Sequence, residues 1–445
     1  MKANWKNPIK LEMKVASILQ EMSERGWLVD QDRMSWLEDE LATWMASIET
    51  VVRPRLPKYA KPYGTEVKKP FLISGKPAAM TTAWYGEESF QVAGIFCRVT
   101  WEDINIGSDK QVKAYLLSVG WKPTTWNYKK GVWPKERTSP KLTEDSYDSI
   151  KDDTGALIAG YLQLKHRKSM VEGWWKFIRP DGRISQVISG MTPTFRCTHK
   201  QVVNVPGEKS PWGLMLRSCF IAAPGYQMVG VDASSCQLRK LCHYMNDPAY
   251  TAAVISGKKE DGSDIHSVNM RMTDGLITNR TDAKSFIYGL LFGAGDGKLG
   301  QLLNGNSNDG ARLRRVFMAN LTKLSDLLDG LLRSWKARGY LVGLDGRKIY
   351  VRAEHMLLVY LLQAAEAVYM KLALCLLYKR VRDSRLDAHY VGFIHDEIQA
   401  EVANKDIEQY KQIASQVFID AGKLLKLNVP TEGDPSAGRS WADTH

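Results

Sequence analysis

The stretch VGFIHDEIQAEV, residues 391–402, constrains the fold of this chain more than any other feature. Two apolar runs flank His395, Asp396 and Glu397, and this pattern predicts two short strands that meet at the polar residues. Two adjacent acids at such a junction cannot both face a core. Either they lie in a solvated turn, or they belong to a site that residues from elsewhere in the chain complete.

Length, charge and cysteine content limit the class of protein. A chain of 445 residues is longer than one hydrophobic core usually covers, so we expect two or three lobes. The net charge of +12 favours a polyanionic partner, either nucleic acid or an anionic membrane, although a basic enzyme without such a partner remains an alternative. The six cysteines form no C-x-x-C pair, which indicates reduced thiols in a cytosol-like compartment.

Two features argue against insertion into a membrane. The N-terminal residues lack the apolar core of a signal peptide. The longest apolar stretch, residues 356–378, is interrupted by Gln363, Glu366 and Lys371. This composition predicts a buried core helix and no membrane partner.

Apolar periodicity and turn residues predict the local structure of several segments. The segment 53–70 contains four prolines and six lysines or arginines, and we expect an irregular basic loop that either follows phosphates or is solvated. Asp345 and Gly346 predict the tight turn of a β-hairpin. Helices are predicted from Leu11 to a stop at Gly26 and over residues 31–52, 153–178 and 405–425.

The stretch VGVDAS supplies a second acidic position, because Asp232 ends an apolar strand that starts at Met228. Two aspartates at neighbouring strand ends suit oxygen-seeking cations such as Mg²⁺. Two such ions about 4 Å apart can activate an attacking oxygen and stabilise a leaving phosphate. We therefore predict that Asp232 and Asp396 bind two Mg²⁺ ions, with the Ala233 carbonyl as a neutral ligand.

The stretch RTDAKSFIYGLLF spaces four side chains four residues apart, so that they share one gradually rotating helix face. Arg280 and Lys284 could hold a triphosphate, and Tyr288 and Phe292 could stack on a base and sugar. A surface helix with a basic stripe above an aromatic core contact remains the alternative.

Taken together and in order, these motifs resemble the polymerase half of family A DNA polymerases, above all the replicative enzymes of short-tailed phages. VDASSCQLR is similar to the first palm motif, RTDAKSFIYGLLFGAG to the fingers helix, and HDE to the third motif. The resemblance is strong from about residue 180 to 445 and thinner before that. Further similar stretches are FRCTHKQVVNVP, DIHS, GLDGRKIYVR, LLQAA and the terminal WADTH.

The resemblance implies an α+β right-hand architecture with an antiparallel palm sheet, helical fingers and a thumb, and without an exonuclease domain. The implied parts are an N-terminal helix that packs on the palm at 1–30, the thumb and its basic loops at 31–185, palm at 186–248, fingers at 249–343, and palm again at 344–445.

The resemblance also assigns roles to single residues. Glu397 would support the two metal-binding aspartates. The nucleotide-binding residues would be Arg280, Lys284, Tyr288, Phe292, Gln237 and His266. The DNA-binding residues would be Arg196 and Gln363 in the minor groove, His395 near the primer terminus, and Arg239, which would act through other residues.

The implied function is template-directed DNA synthesis from dNTPs on primer–template DNA, in the cytoplasm of the host if a phage encodes the chain. Because the chain begins almost at the polymerase part, we expect no intrinsic 3′–5′ proofreading, and a separate exonuclease or other replication proteins would be partners. Three alternatives remain. They are a single-subunit RNA polymerase, which Glu397 disfavours, a non-catalytic DNA-binding or processivity subunit, and a two-metal nuclease, which has no use for the fingers helix.

Two positions depart from the family. It usually has Glu at the position of Gln237, where the acid packs under C2′ of the incoming sugar and excludes a ribose hydroxyl. It also has Tyr at the position of Phe292, and this tyrosine donates a hydrogen bond to that acid. Phe292 cannot donate, and an unpaired buried carboxylate is costly. We therefore predict that the two positions changed together and that Gln237 filters the sugar by bulk alone.

Overall fold

The computed structural model describes residues 6–67, 69–76, 78–79, 89–92, 95–123, 125–132 and 136–444. The chain divides into two compact units, one formed by Met1–Met34 with Gly173–His445 and the other by Ser35–Glu172. Both units combine helices with antiparallel strands. The predicted α+β class is therefore confirmed.

The helices are α1 Lys6–Arg25, α2 Gln31–Val52, α3 Asp109–Ser118, α4 Glu144–Tyr147, α5 Asp153–Trp175, α6 Gly213–Arg217, α7 Cys236–Met245, α8 Pro248–Ile255, α9 Ile265–Arg271, α10 Arg280–Leu291, α11 Asp296–Gln301, α12 Ser307–Asn320, α13 Thr322–Arg338, α14 Leu357–Asp383 and α15 Ile407–Leu424. The strands are β1 Trp27–Val29, β2 Lys58–Val67, β3 Ser89–Val92, β4 Ile95–Asp103, β5 Trp126–Tyr128, β6 Arg137–Pro140, β7 Arg183–Ile184, β8 Val187–Met191, β9 Cys197–Lys200, β10 Phe220–Ile221, β11 Tyr226–Ala233, β12 Leu341–Val342, β13 Lys348–Ile349, β14 Ala388–Ile394, β15 Glu397–Ala403 and β16 Gly433–Gly438.

A four-stranded antiparallel sheet in the order β14-β15-β11-β16 forms the centre of the larger unit. β14 and β15 form the hairpin that the opening stretch predicts, and Ile394 pairs with Glu397 across its turn. β11 runs beside β15 in a register that sets Asp232 opposite Glu397. The two acidic motifs, far apart in sequence, therefore lie at the same end of the sheet.

One face of this sheet packs on helices α14, α15 and α1. Alternate residues of β11 and β15, such as Val229, Val231 and Ile398, are buried against Leu374 and Phe418. The apolar residues follow the period-two pattern of a strand, although all seven residues of β15 are buried. The register is strongly specified, because a slip of one residue would exchange this apolar set with the buried polar side chains Glu397, Gln399 and Glu401.

The long apolar helix α14 is a core helix of this protein, as its sequence predicts. Glu354–Asp383 is long and apolar enough to cross a membrane, but 89% of its most apolar window is buried inside the protein. The buried Lys371 Nζ lies 2.6 Å from Glu12 Oε2 of α1. The charges that interrupt the apolar pattern thus have partners within the fold.

A second core lies under helix α10. Phe286, Ile287 and Leu290 are buried and belong to one cluster with Leu313 and Phe317 of α12. The four side chains that the sequence predicts on one face of α10 are not among these fully buried residues. They are Arg280, Lys284, Tyr288 and Phe292. The turn predicted at residues 345–346 is also present, since Leu341 pairs with Ile349 around it.

The smaller unit corrects one expectation. Residues 58–67 of the segment that was predicted to be an irregular loop form strand β2, which pairs with β4 in a sheet of order β2-β4-β3. β2 is an edge strand, and an edge strand tolerates a proline such as Pro62 because one row of its backbone groups needs no partner. Composition alone therefore misjudged this segment.

Candidate active site

The β14–β15 turn lies directly beside the end of β11. The Ala233 N–H donates to the Asp396 carbonyl oxygen at 2.9 Å. His395, the first residue of the turn, has a φ of +54°. Tight two-residue hairpin turns need a positive φ at this position. These contacts hold Asp396 next to the strand that ends in Asp232.

Asp232 and Asp396 line one cleft of about 570 Å³. Asp232 is exposed and Asp396 is half-buried. His395, His199 and Arg217 line the same cleft. The two aspartates that the sequence predicts to bind metal therefore line the same cleft, which is open to solvent.

Glu397 faces away from solvent. It is 6% exposed, and its Oε1 accepts hydrogen bonds from Gln399 Nε2 at 2.5 Å and Trp441 Nε1 at 2.6 Å. A turn with both acids in solvent is therefore the wrong interpretation. Glu397 also lines the cleft that holds Asp232 and Asp396, but its carboxylate is held by these two hydrogen bonds.

The oxygen atoms at this site fit Mg²⁺. They come from the two carboxylates that line the cleft, which are hard ligands. In the part of the chain that the structure describes, no three His, Cys, Asp or Glu side chains gather closely enough to hold a metal ion. Mg²⁺ commonly binds through one or two carboxylates and takes its remaining ligands from water and substrate phosphates, so two aspartates suffice.

Arg280, at the start of α10, is held by Asp264. Its Nη2 and Nε lie 2.8 Å and 3.0 Å from Asp264 Oδ1. Burial alone would raise the pKa of Asp264, but hydrogen bonds from Arg280, Ser267 and the His266 N–H outweigh it and lower the pKa to about 2. Asp264 is thus ionised at neutral pH and compensates much of the Arg280 charge.

The other three side chains of the α10 face differ in their surroundings. Lys284 is exposed. Burial raises the pKa of Tyr288, and the negative charges of Asp396, Cys236 and Asp232 raise it further. Phe292 is 47% exposed and stacks on Tyr288 with ring centroids 6.3 Å apart. Phe292 is therefore not the core contact of the alternative interpretation.

His266 lies behind this face. Its ring centroid is 6.1 Å from that of Tyr288, and the residue is 8% exposed. Burial lowers the pKa of His266, and the charges of Arg280 and Lys284 lower it further. The structure thus groups His266 with three of the predicted nucleotide-binding residues.

Arg196, Glu366 and Gln237 form a chain of contacts in which Arg196 is half-buried and the other two are buried. Arg196 Nη2 lies 2.6 Å from Glu366 Oε1, and Gln237 Nε2 donates to Glu366 Oε2. Glu366 is 1% exposed and Gln237 is 6% exposed. One turn earlier on α14, Gln363 Oε1 accepts from Thr194 Oγ1 at 3.1 Å. Of the two predicted minor-groove residues, Gln363 therefore lies on α14 and Arg196 contacts the same helix through Glu366.

Arg239 and His395 occupy different surroundings. Arg239 is 4% exposed, and its Nε donates to the Ser234 carbonyl at 2.9 Å. This contact supports the turn after Asp232 and agrees with a role that acts through other residues. Partial burial lowers the pKa of His395 to about 4, and the nearby charges of Arg196 and His199 add to the effect. His395 is therefore neutral at pH 7.

Sequence reasoning assigned no role to several residues of this site. Arg217 lines the cleft, and its guanidinium lies 4.5 Å from the Trp441 ring centroid. Its Nε donates to the Pro206 carbonyl at 2.9 Å. Glu366 was noticed only as an interruption of an apolar helix. A carboxylate in a helix that is apolar all round was the signal that could have identified it.

Comparisons with known proteins agree with this architecture. The family model for DNA polymerase family A matches residues 86–443. A DNA-directed DNA polymerase of Escherichia phage Phieco32 is 28% identical over 86% of this chain and 78% of its own length. The DNA-directed DNA polymerase of Enterobacteria phage T3 is 27% identical over 77% of this chain. The chain covers 53% of the T3 protein, about half of its length.

A solved structure supports the fold independently. The POL domain of Pol1 from M. smegmatis, in complex with DNA primer-template and dNTP, superposes with a TM-score of 0.74 at 21% identity. The match covers 97% of this chain and 70% of that chain. The polymerase-domain fold predicted from the motifs is thereby confirmed.

This chain belongs to DNA polymerase family A. Its enzyme class is that of the DNA-directed DNA polymerases, as the motifs predicted.

Proposed function

We propose that this chain extends a DNA primer along a template by transferring nucleotides from dNTPs with the help of two Mg²⁺ ions. The observation that carries the proposal is the position of Asp232 and Asp396 in one cleft, and the charges of both carboxylates act on the Tyr288 phenol of α10. A metal site beside a helix face of cations and aromatics suits a nucleoside triphosphate. The phage relatives and the solved complex with primer-template and dNTP support the same substrates.

In this proposal Asp232 and Asp396 hold the ions, with the Ala233 carbonyl as a further ligand and Glu397 as a support. When bound, such ions activate an attacking oxygen and compensate phosphate charge. Lys284 and Arg280 bind the triphosphate, and Tyr288 lies against the sugar. The primer 3′ hydroxyl loses its proton to solvent and its oxygen attacks the α-phosphate in line. The bond from the α-phosphorus to the oxygen that bridges to the β-phosphate breaks, and pyrophosphate leaves. Most of the rate enhancement comes from positioning and charge.

Arg196 and Gln363 are proposed to contact the minor groove near the primer end. Purine N3 and pyrimidine O2 present acceptors at similar places in every correct pair, so donors here test the shape of the pair without reading sequence. We place this work in the cytoplasm, with primer–template DNA and dNTPs as partners. Whether a separate exonuclease or another replication protein binds stays a prediction, as do the boundaries of palm, fingers and thumb.

The direct test is primer extension by the purified chain. A labelled primer on a longer template should grow when dNTPs and Mg²⁺ are present, and EDTA should stop the reaction. Parallel reactions with rNTPs distinguish a DNA from an RNA polymerase. Absence of extension with either nucleotide, by a protein that still binds primer–template, would favour the non-catalytic DNA-binding subunit.

The absence of intrinsic proofreading is a separate prediction. A primer with a mispaired, end-labelled 3′ nucleotide should keep its length when it is incubated with the chain and Mg²⁺ but without dNTPs. The reason is that the motifs identified in this chain are those of the polymerase half of the family. Shortening that persists through purification and is lost in the Asp232→Asn variant would contradict it.

Tyr288 should make the enzyme tolerant of dideoxynucleotides. A missing 3′ hydroxyl leaves the triphosphate without a polar partner, and the phenolic oxygen of Tyr288 can supply one. Tyr288→Phe removes only this oxygen, so the preference for dNTP over ddNTP should increase by about tenfold, the value of one neutral hydrogen bond. Competing dNTP and ddNTP incorporation measures the ratio, and Phe292→Leu serves as an aromatic control. An unchanged ratio in Tyr288→Phe would refute this placement.

A further inference from the structure

We propose that Glu366 is a positioning residue that couples recognition of the primer terminus to selection of the incoming sugar. This inference rests on the proposed function, and it goes beyond it by assigning a role to a residue outside the polymerase motifs. Glu366 lies on α14, between one residue predicted to contact DNA and one predicted to contact the nucleotide.

The two oxygens of Glu366 have separate partners. Oε1 faces the Arg196 guanidinium at 2.6 Å, and Oε2 accepts from the Gln237 amide. Because the Nε2 end of Gln237 is committed to this bond, the orientation of its amide is fixed. A side chain that excludes a ribose hydroxyl by bulk must be held in one conformation, and Glu366 supplies that restraint.

The turn that carries Arg196 is built to be rigid. The Phe195 N–H donates to the Thr192 carbonyl and the Thr192 N–H to the Arg196 carbonyl, both at 2.9 Å. Phe195 adopts a φ of +65°, an unusual conformation for a bulky residue. The Arg347 guanidinium lies 4.6 Å from the Phe195 ring centroid. The backbone at Arg196 is thus held in place, and its guanidinium reaches Glu366 from this turn.

Burial makes this carboxylate dependent on its partners. Burial raises the pKa of Glu366 to about 7, against the opposing effect of Arg196, while Asp396 raises it further. A buried carboxylate is stable only when paired, so loss of either partner disturbs the other. The family usually has a carboxylate at position 237, where this chain has the amide of Gln237. The carboxylate of Glu366 contacts that amide from α14.

The test exchanges the two side chains. Glu366→Gln should raise the ratio of rNTP to dNTP incorporation and the ratio of mismatched to matched primer extension, each by about tenfold, because one charge-assisted contact is lost. Gln237→Glu alone sets two carboxylates together and should reduce dNTP incorporation strongly. The double variant Gln237→Glu/Glu366→Gln restores one acid and one amide, and should recover most of that loss and return both ratios towards wild type.

Glu401→Gln is the matched control. Glu401 is also a fully buried carboxylate paired with arginines, Arg25 and Arg183, but it lies near the other end of β15. It should lower the thermal unfolding temperature and leave both ratios unchanged. The coupling role is refuted if Glu366→Gln also lowers the unfolding temperature without changing either ratio. It is also refuted if the exchange variant incorporates dNTPs no faster than Gln237→Glu. Should Glu366→Gln fail to fold, the ratios of the exchange variant decide. Failure of the wild type to extend a primer would instead refute the proposed function.

Discussion

Asp232→Asn and Asp396→Asn should each reduce primer extension by at least about 10³-fold, a rise of ~4 kcal/mol in the barrier. Either change keeps the volume of the side chain but removes a carboxylate charge that lines the cleft. An amide is a much weaker ligand for Mg²⁺ than a carboxylate. Affinity for primer–template DNA, measured without nucleotide, should stay within a few-fold of wild type because these acids do not contribute positive charge.

Asp387→Asn is the control for this pair. Asp387 lies at the opposite end of the same sheet, where its Oδ2 accepts from Tyr226 Oη at 2.8 Å. Its replacement should leave extension unchanged. Near-normal extension by Asp232→Asn or Asp396→Asn, with a folded protein, would remove the metal assignment and with it the two-ion mechanism.

The main features of the palm could be predicted because each depends on local sequence. The period-two runs around residues 395–397 required a hairpin, and the apolar strand before Asp232 required a neighbour of the same kind. Helix ends followed glycines, as at Gly26 with its φ of +67°. Strand β2 was missed because its composition resembles a loop, and only pairing with β4 makes it a strand.

The electrostatic partners could not be predicted, because residues far apart in sequence supply them. Glu366 and Gln237 are 129 residues apart, and no local pattern announces their contact. The sequence predicted that Gln237 changed together with Phe292, and that coupling stays a prediction. The structure adds a partner for Gln237, since its amide donates to Glu366. It likewise shows Arg280 paired with Asp264, which the shared helix face did not suggest.

The pairing of Arg280 leads to the second large expected effect, at Lys284. Arg280 and Lys284 lie one turn apart on α10, but Asp264 already compensates Arg280. Lys284 is exposed and has no salt bridge among the described residues, so its charge is available to the triphosphate. Lys284→Ala should therefore lower kcat/KM for dNTPs by about 10²–10³-fold, the range for loss of a transition-state charge contact.

Arg280→Ala should lower kcat/KM less than Lys284→Ala does. It should lower the thermal unfolding temperature more, because it leaves the ionised Asp264 without its main partner. Lys284→Arg keeps the charge and should retain more activity than Lys284→Ala. Lys298→Ala, an exposed lysine on the neighbouring α11, tests the general loss of positive charge and should change kcat/KM by no more than a few-fold. Steady-state single-nucleotide insertion measures all four variants. A larger kinetic loss in Arg280→Ala than in Lys284→Ala would show that Arg280 leaves Asp264 to bind the nucleotide, and that the contact seen here is exchanged for phosphate during the reaction.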